Sequence, residues 1–152
     1  MQSETIVLDA NLLVLLIVGS VSRSYIAKHR RLKAYTAADY TLLVGLVKSA
    51  AEVIATPNTL TEASNLVGYI SEPARTQIYQ KFRVLANEMA ERYIDSRRAV
   101  KQEEFLRLGL TDSVLLKAGE EKLTLLTADV DLYLAAASHG FKVVNFNHHR
   151  AM

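Results

Sequence analysis

Four acidic residues, Asp9, Glu62, Asp112 and Asp129, stand where a carboxylate is costly to keep or close to a turn that would expose it. Asp9 ends the apolar run Ile6-Val7-Leu8 and is followed at once by Leu12 and Leu13. An ionised carboxylate in that setting loses several kcal/mol of solvation unless hydrogen bonds or a cation compensate. Glu62 follows Thr56-Pro57 and Leu60-Thr61, Asp112 closes Leu108-Gly109-Leu110-Thr111, and Asp129 follows Leu125-Leu126-Thr127-Ala128, with Asp131 two positions on. If these side chains meet, they repel and raise one another's pKa until a divalent cation neutralises them. Carboxylate oxygens without His or Cys select Mg²⁺ or Mn²⁺ over zinc. Such an ion retains water and leaves room for a phosphate oxygen, so the chemistry expected is phosphodiester hydrolysis by metal-activated water. Taken singly, each acid has an ordinary role: helix N-terminal charge for Asp112, turn or cap for Asp129, solvated helix face for Glu62. The ordered set is more specific than any member.

Convergence requires elements that carry these residues to one edge. Residues 5–8 and 123–126 read as strands buried on both faces, and residues 52–55 and 142–146 as two more. Between them, Leu12 to Val18 is apolar all round, as in a helix packed inside a domain, with Gly19 as its stop. A second helix is expected from Ser22 to Arg30. Thr36-Ala37-Ala38-Asp39 has the form of a capping box opening a helix to about Ala50. Thr56 and Pro57 supply an N-cap and a first helical residue, and Ser71-Glu72-Pro73 repeats the signal. Ile78, Phe82, Leu85, Met89 and Tyr93 then follow at helical steps as a core-facing or dimer-facing stripe. Gly109 separates a short segment, Phe105 to Leu110, from a helix opening at Thr111 and ending at Gly119. Thr127-Ala128-Asp129 opens another that reaches about Ser138. Strands alternating with helices predict one three-layer α/β/α domain over residues 1–152 with a central parallel sheet. In such a sheet the binding crevice lies beyond the carboxyl ends of the strands, where Asp9 and Asp129 fall.

Composition narrows the classes. The chain of 152 residues is the size of one domain, and its 18 Lys and Arg nearly balance 16 Asp and Glu. There is no cysteine, which removes disulfides, thiolate zinc sites and cysteine nucleophiles. The longest apolar run falls well short of the roughly 20 residues that span a bilayer, so no membrane segment is expected. Met1-Gln2-Ser3-Glu4 lacks the basic residue of a signal peptide, which points to the cytoplasm. The positive charge is uneven: Arg23, Lys28, Arg30, Arg31 and Lys33 crowd one stretch with no acid, and Arg97, Arg98 and Lys101 form a smaller cluster. Both suit phosphate contacts, and both equally suit a solvated face.

In the order and spacing of Ile6-Val7-Leu8-Asp9-Ala10-Asn11, Thr56-Pro57 with Leu60-Thr61-Glu62, Leu108-Gly109-Leu110-Thr111-Asp112, and Leu125-Leu126-Thr127-Ala128-Asp129 with Asp131, the chain resembles PIN-domain nucleases over essentially its whole length. The resemblance implies a PIN-like fold and a metal-dependent endoribonuclease, a hydrolase cleaving RNA at an acidic Mg²⁺ or Mn²⁺ pocket. Asp9, Glu62, Asp112 and Asp129 match the family's acidic quartet, and Asp131 a position that supplies a further carboxylate to the metal or its surroundings. Asn11, Thr111 and Thr127 match polar positions that orient the acids or bound water. His148 and His149 match nothing and read as a flexible surface tail. Many small members are similar to virulence-associated protein C, the toxin half of a toxin–antitoxin pair, and dimerise, so a homodimer and an antitoxin partner are implied. The extra helical and basic sequence between Asp9 and Glu62 departs from compact toxins and weakens that label without touching the quartet. The alternative is a non-catalytic PIN-like module that binds RNA or protein. A haloacid-dehalogenase-like phosphatase would need Asp where Asn11 stands, and a P-loop enzyme would need a Gly-x-x-x-x-Gly-Lys-Ser/Thr motif that is absent.

Overall fold

A computed structural model describes residues 4–150. Strands β1 (Thr5–Leu8), β2 (Glu52–Ala55), β3 (Ala90–Glu91), β4 (Thr124–Thr127) and β5 (Val143–Asn145) form one sheet in the order β3-β2-β1-β4-β5, every pairing parallel. The register aligns the carboxyl ends: Leu8 pairs with Leu126, Thr127 with Asn145, and Ala55 with Glu91. Helices α1 (Ala10–Val21), α2 (Ser24–Lys28), α3 (Ala37–Lys48), α4 (Pro57–Val67), α5 (Ala74–Glu88), α6 (Ser96–Val100), α7 (Phe105–Ala118), α8 (Val130–Ser138) and α9 (Phe146–Arg150) connect and flank the strands.

Alternation along the central strands creates two cores. Ile6 and Leu8 of β1 and Leu126 of β4 face a cluster built from α1 to α5 and Phe146, while Val7, Ile54 and Leu125 face one built from α6, α7 and α8. The result is the expected three-layer α/β/α arrangement with its parallel sheet buried on both faces. The uniformly apolar α1 has six fully buried large residues, Leu12 to Leu15, Ile17 and Val18, because it lies between the sheet and the outer helices. The capping box at Thr36 and Asp39 forms with both reciprocal bonds, and Thr56 caps α4 with Pro57 behind it. None of the described helices is long and apolar enough to cross a membrane.

Several expectations are corrected. Gly19 does not stop α1; the helix continues to Val21 and Gly19 packs against the Tyr40 ring, where a Cβ would lie 2.2 Å from Cδ1. The helix expected over residues 22–30 is only α2, because the backbone leaves the helical region at His29 (φ −81°, ψ 126°). Ser71 does not cap α5, whose first residue follows Pro73; the Glu72 carboxylate instead accepts from the Thr76 amide and hydroxyl. The stripe ends at Met89, beyond which the chain extends into β3 and leaves Tyr93 75% exposed. Neither β3 nor α6 was expected. The last strand stops at Asn145, and residues 146–150, expected as a strand end and a tail, form α9. There His148 packs edge-on against Tyr133 with ring centres 5.5 Å apart, and Arg150 bonds Asp39 at 3.2 Å.

Candidate active site

The carboxyl ends of β1 and β4 are laced together by one carboxylate. Asp9 is the N-cap of α1: Oδ1 accepts from the Leu12 amide at 3.0 Å, and Oδ2 accepts from the Ala128 amide at 3.0 Å and from the Thr127 hydroxyl. That hydroxyl in turn accepts from the Asp129 amide at 2.9 Å, and Asp129 caps α8 by accepting from the Leu132 amide at 3.0 Å. Strand-to-helix turns leave amides without partners, and an aspartate at each turn satisfies them, so the acids that cap also sit at the sheet edge. Hydrogen bonds thus answer part of the compensation that the apolar flanks of Asp9 demand, before any cation is considered. They do not answer all of it. Asp9 is only 4% exposed, and burial holds its carboxyl above the ordinary value against the Thr127, Leu12 and Ala128 bonds, with the Asp129 charge adding to the rise.

Asp112 arrives from the other layer. At Gly109 the backbone leaves the helical region (φ 79°, ψ 178°), so the segment from Leu110 to Ala118 is a second helix and Asp112 lies in its first turn, as the glycine signalled. Half-buried there, Asp112 has its carboxyl pushed up to about 7, first by burial and then by the charges of Asp129, Asp9 and Glu62. These are the other three residues of the expected set, brought from the ends of β1 and β4 and from α4 to within electrostatic reach of one side chain. Glu62 is exposed on α4 and lines a cleft of about 430 Å³ together with Asn58, Asn65, Tyr93, Ser96 and Thr111. The sequence offered no signal for Tyr93, which counted as part of the helical stripe, or for Asn65; Asn58 follows the Thr56-Pro57 helix start.

In chemistry, the carboxylates are donors of the kind a hard divalent cation takes. A carboxylate has about four acceptor positions, and Asp9 uses three, leaving one on Oδ1. Among the described residues, no three His, Cys, Asp or Glu side chains stand close enough to share an ion as they are placed. A shared ion therefore requires side-chain movement, for which the exposed Glu62 has the length and the freedom. Asp131 lies exposed in the first turn of α8, and its charge is not among those acting on Asp112. Asn11 lies exposed in the first turn of α1, and Thr111 lines the cleft.

The basic residues divide. Arg97 and Arg98 follow Ser96 in α6, beside the cleft, with Arg97 4.0 Å from Asp95. Arg23 is occupied within the fold, donating to the Ala37 carbonyl at 3.3 Å and to Thr41, with its guanidinium 5.1 Å from the centre of the Tyr40 ring. Lys28 and Arg30 line a different cavity, Arg31 lies against Tyr69, and Lys33 is exposed. Sequence reasoning missed Asn147, whose side-chain amide donates to the Ala128 carbonyl at 2.9 Å, and Arg150, which holds Asn147 at 3.0 Å; together they brace the turn that bears Asp129.

No protein-family model and no curated protein matches the chain. Among solved structures it is similar to a domain of a functionally unknown protein from Methanocaldococcus jannaschii DSM 2661, at 17% identity and a TM-score of 0.46, over 94% of this chain and 91% of that one.

Proposed function

We propose that the protein is a Mg²⁺- or Mn²⁺-dependent endoribonuclease with Asp9, Glu62, Asp112 and Asp129 around its metal, the reading also implied by its resemblance to PIN-domain nucleases. The observation that carries it is that the charges of Asp9, Glu62 and Asp129, distant in sequence, all act on Asp112 near the carboxyl edge of a parallel sheet, with no ion pair to any of the four among the described residues. When bound, the ion supplies charge neutralisation and an activated water for attack on phosphorus.

The remaining roles belong to the chain. Asp9 is a fixed anchor, because three donors hold its two oxygens and the α1 N-terminus favours its charge. Thr127 orients Asp9 and ties it to the Asp129 turn. Asp112, its carboxyl pushed up to about 7, carries a proton below that pH, and a cation held by it would favour the ionised form. Asn58 and Asn65 present amides to the sugar–phosphate chain along the cleft, and Arg97 and Arg98 attract phosphates at its rim. Cleavage of mixed RNA is assayed with Mg²⁺ or Mn²⁺, with chelator, and with Asp9→Asn. Metal-dependent cleavage that both controls abolish is expected; cleavage undiminished in either overturns the reading. That no three acids among the described residues are close enough as placed to share an ion favours a second reading, a binding module that holds RNA without cutting. Metal-independent binding with no cleavage of any RNA pool would select it.

A further inference from the structure

We infer that the turn joining α4 to α5, together with the segment after α2, forms a second RNA site that grips single-stranded RNA by stacking and phosphate contact; the inference rests on the ribonuclease reading for its substrate. Arg30 and Arg31 place their guanidinium groups 5.8 and 5.3 Å from the centre of the Tyr69 ring, and Tyr69 remains 42% exposed. Beside it, Lys28, Arg30, Tyr25 and Ser71 line a cavity of about 450 Å³. Arg75 stands over the next tyrosine, Tyr79, at 4.9 Å. Among the described residues none of Lys28, Arg30, Arg31 or Arg75 is in an ion pair. The acid in the cavity wall, Glu72, accepts from the Thr76 amide and hydroxyl, which hold its carboxyl below the usual carboxylate range with a smaller contribution from the Arg75 charge, and it makes no ion pair with the four cations.

Unpaired cations around an open aromatic ring are what a single strand needs: arginines and lysine meet phosphates, while the tyrosine and the guanidinium planes accept unstacked bases. A duplex offers no free base face to such a surface, and an acidic peptide would use the charge but not the ring.

The site is built, not incidental to a mobile loop. His29 is wholly buried, its Nε2 2.9 Å from the Val67 carbonyl and its Nδ1 accepting from the Arg31 amide at 3.2 Å, and the Arg30 amide donates to the Tyr69 carbonyl at 3.0 Å. These bonds lock the two arginines to the end of α4. The position also matters. Glu62 and Asn65 of α4 line the acidic cleft, and Tyr69 lies two residues beyond the end of that helix at Val67. From Glu62 to Val67 the helix rises roughly 8 Å, which sets this site at the C-terminal end of α4 and Glu62 about midway along the same helix.

The test uses the full chain, chelator to exclude cleavage, and fluorescence anisotropy with a labelled single-stranded RNA. Tyr69→Leu is expected to weaken binding about tenfold, the effect of losing one stacked base. Arg30→Gln with Arg31→Gln is expected to lower the slope of log affinity against log salt by roughly 1.4. Binding unchanged in both site variants overturns the inference, as does equal affinity for duplex RNA, or for polyaspartate, which would mark an acidic protein partner. If Tyr69→Leu does not fold, the arginine pair decides alone. Lost cleavage with binding intact in the parent defeats the ribonuclease reading and leaves this site standing.

Discussion

Replacing Asp112 with Asn should stabilise the metal-free protein. The carboxyl, ordinarily near 3.8, is pushed up to about 7 in the fold by burial and by Asp129, Asp9 and Glu62. At about 1.4 kcal/mol for each tenfold change in proton affinity, ionising it costs up to about 4 kcal/mol, or about 2–4 once its solvent-facing side is discounted for screening. The sign follows from proton counting. Between pH 3.8 and about 7 the folded state binds the proton more tightly than the unfolded chain, so stability falls as pH rises through that window and stays low above it. Asn is isosteric and cannot ionise. In chelator at pH 8, Asp112→Asn should therefore melt higher by roughly 5–15 °C, and the difference should vanish near pH 4. Millimolar Mn²⁺ should raise the melting temperature of the parent at pH 8 and leave the variant almost unmoved. Thermal denaturation across pH, followed by circular dichroism, measures all three. A variant no more stable than the parent at pH 8 without metal would refute the crowding of the four charges, and with it the reason for a metal.

Three further outcomes follow from the same geometry. Thr127→Val removes the buried hydroxyl that joins Asp9 to the Asp129 amide and should cost about 1–3 kcal/mol in urea denaturation, with Mn²⁺ affinity reduced and Thr127→Ser restoring both. Gly109→Ala places a side chain in a conformation that essentially only glycine adopts, and should destabilise by about 1–3 kcal/mol although a Cβ there meets nothing; unchanged stability would mean the break is not fixed by the backbone. Burial holds the His29 pKa below its ordinary 6.5, so its contribution is present above that value and is lost as pH falls below it; His29→Gln should lose less stability between pH 6.5 and 5 than the parent.

Much of this was legible because local signals and burial agreed. The apolar run into Asp9, the Thr36 and Thr56 caps and the break at Gly109 each name an element boundary that the structure keeps. What failed did so for tertiary reasons. Ala90 and Glu91 carry no strand pattern, and they pair only because β2 offers an unfilled edge at Ile54 and Ala55. Tyr93 matches the helical period of Ile78 to Met89, yet the helix ends at Glu88 and the periodicity continues by accident. Gly19 looked like a stop because nothing local reveals the Tyr40 ring against it. At the site, order and flanks singled out four acids, and the charges of three of them act on the fourth, Asp112, in the fold. The donors to Asp9 were not legible, since two of the three lie on a strand more than a hundred residues away and on the turn after it. The second basic-aromatic cluster was half visible as charge, but Tyr69 joins it only through the fold.

The central claim, that the four acids gather to hold one kind of ion, is tested most directly by anomalous diffraction from crystals soaked in Mn²⁺. A manganese peak bounded by Asp9, Glu62, Asp112 and Asp129, lost in the Asp112→Asn protein, is the result expected. Millimolar Mn²⁺ bound elsewhere on the molecule, with no peak among those four side chains, would contradict it.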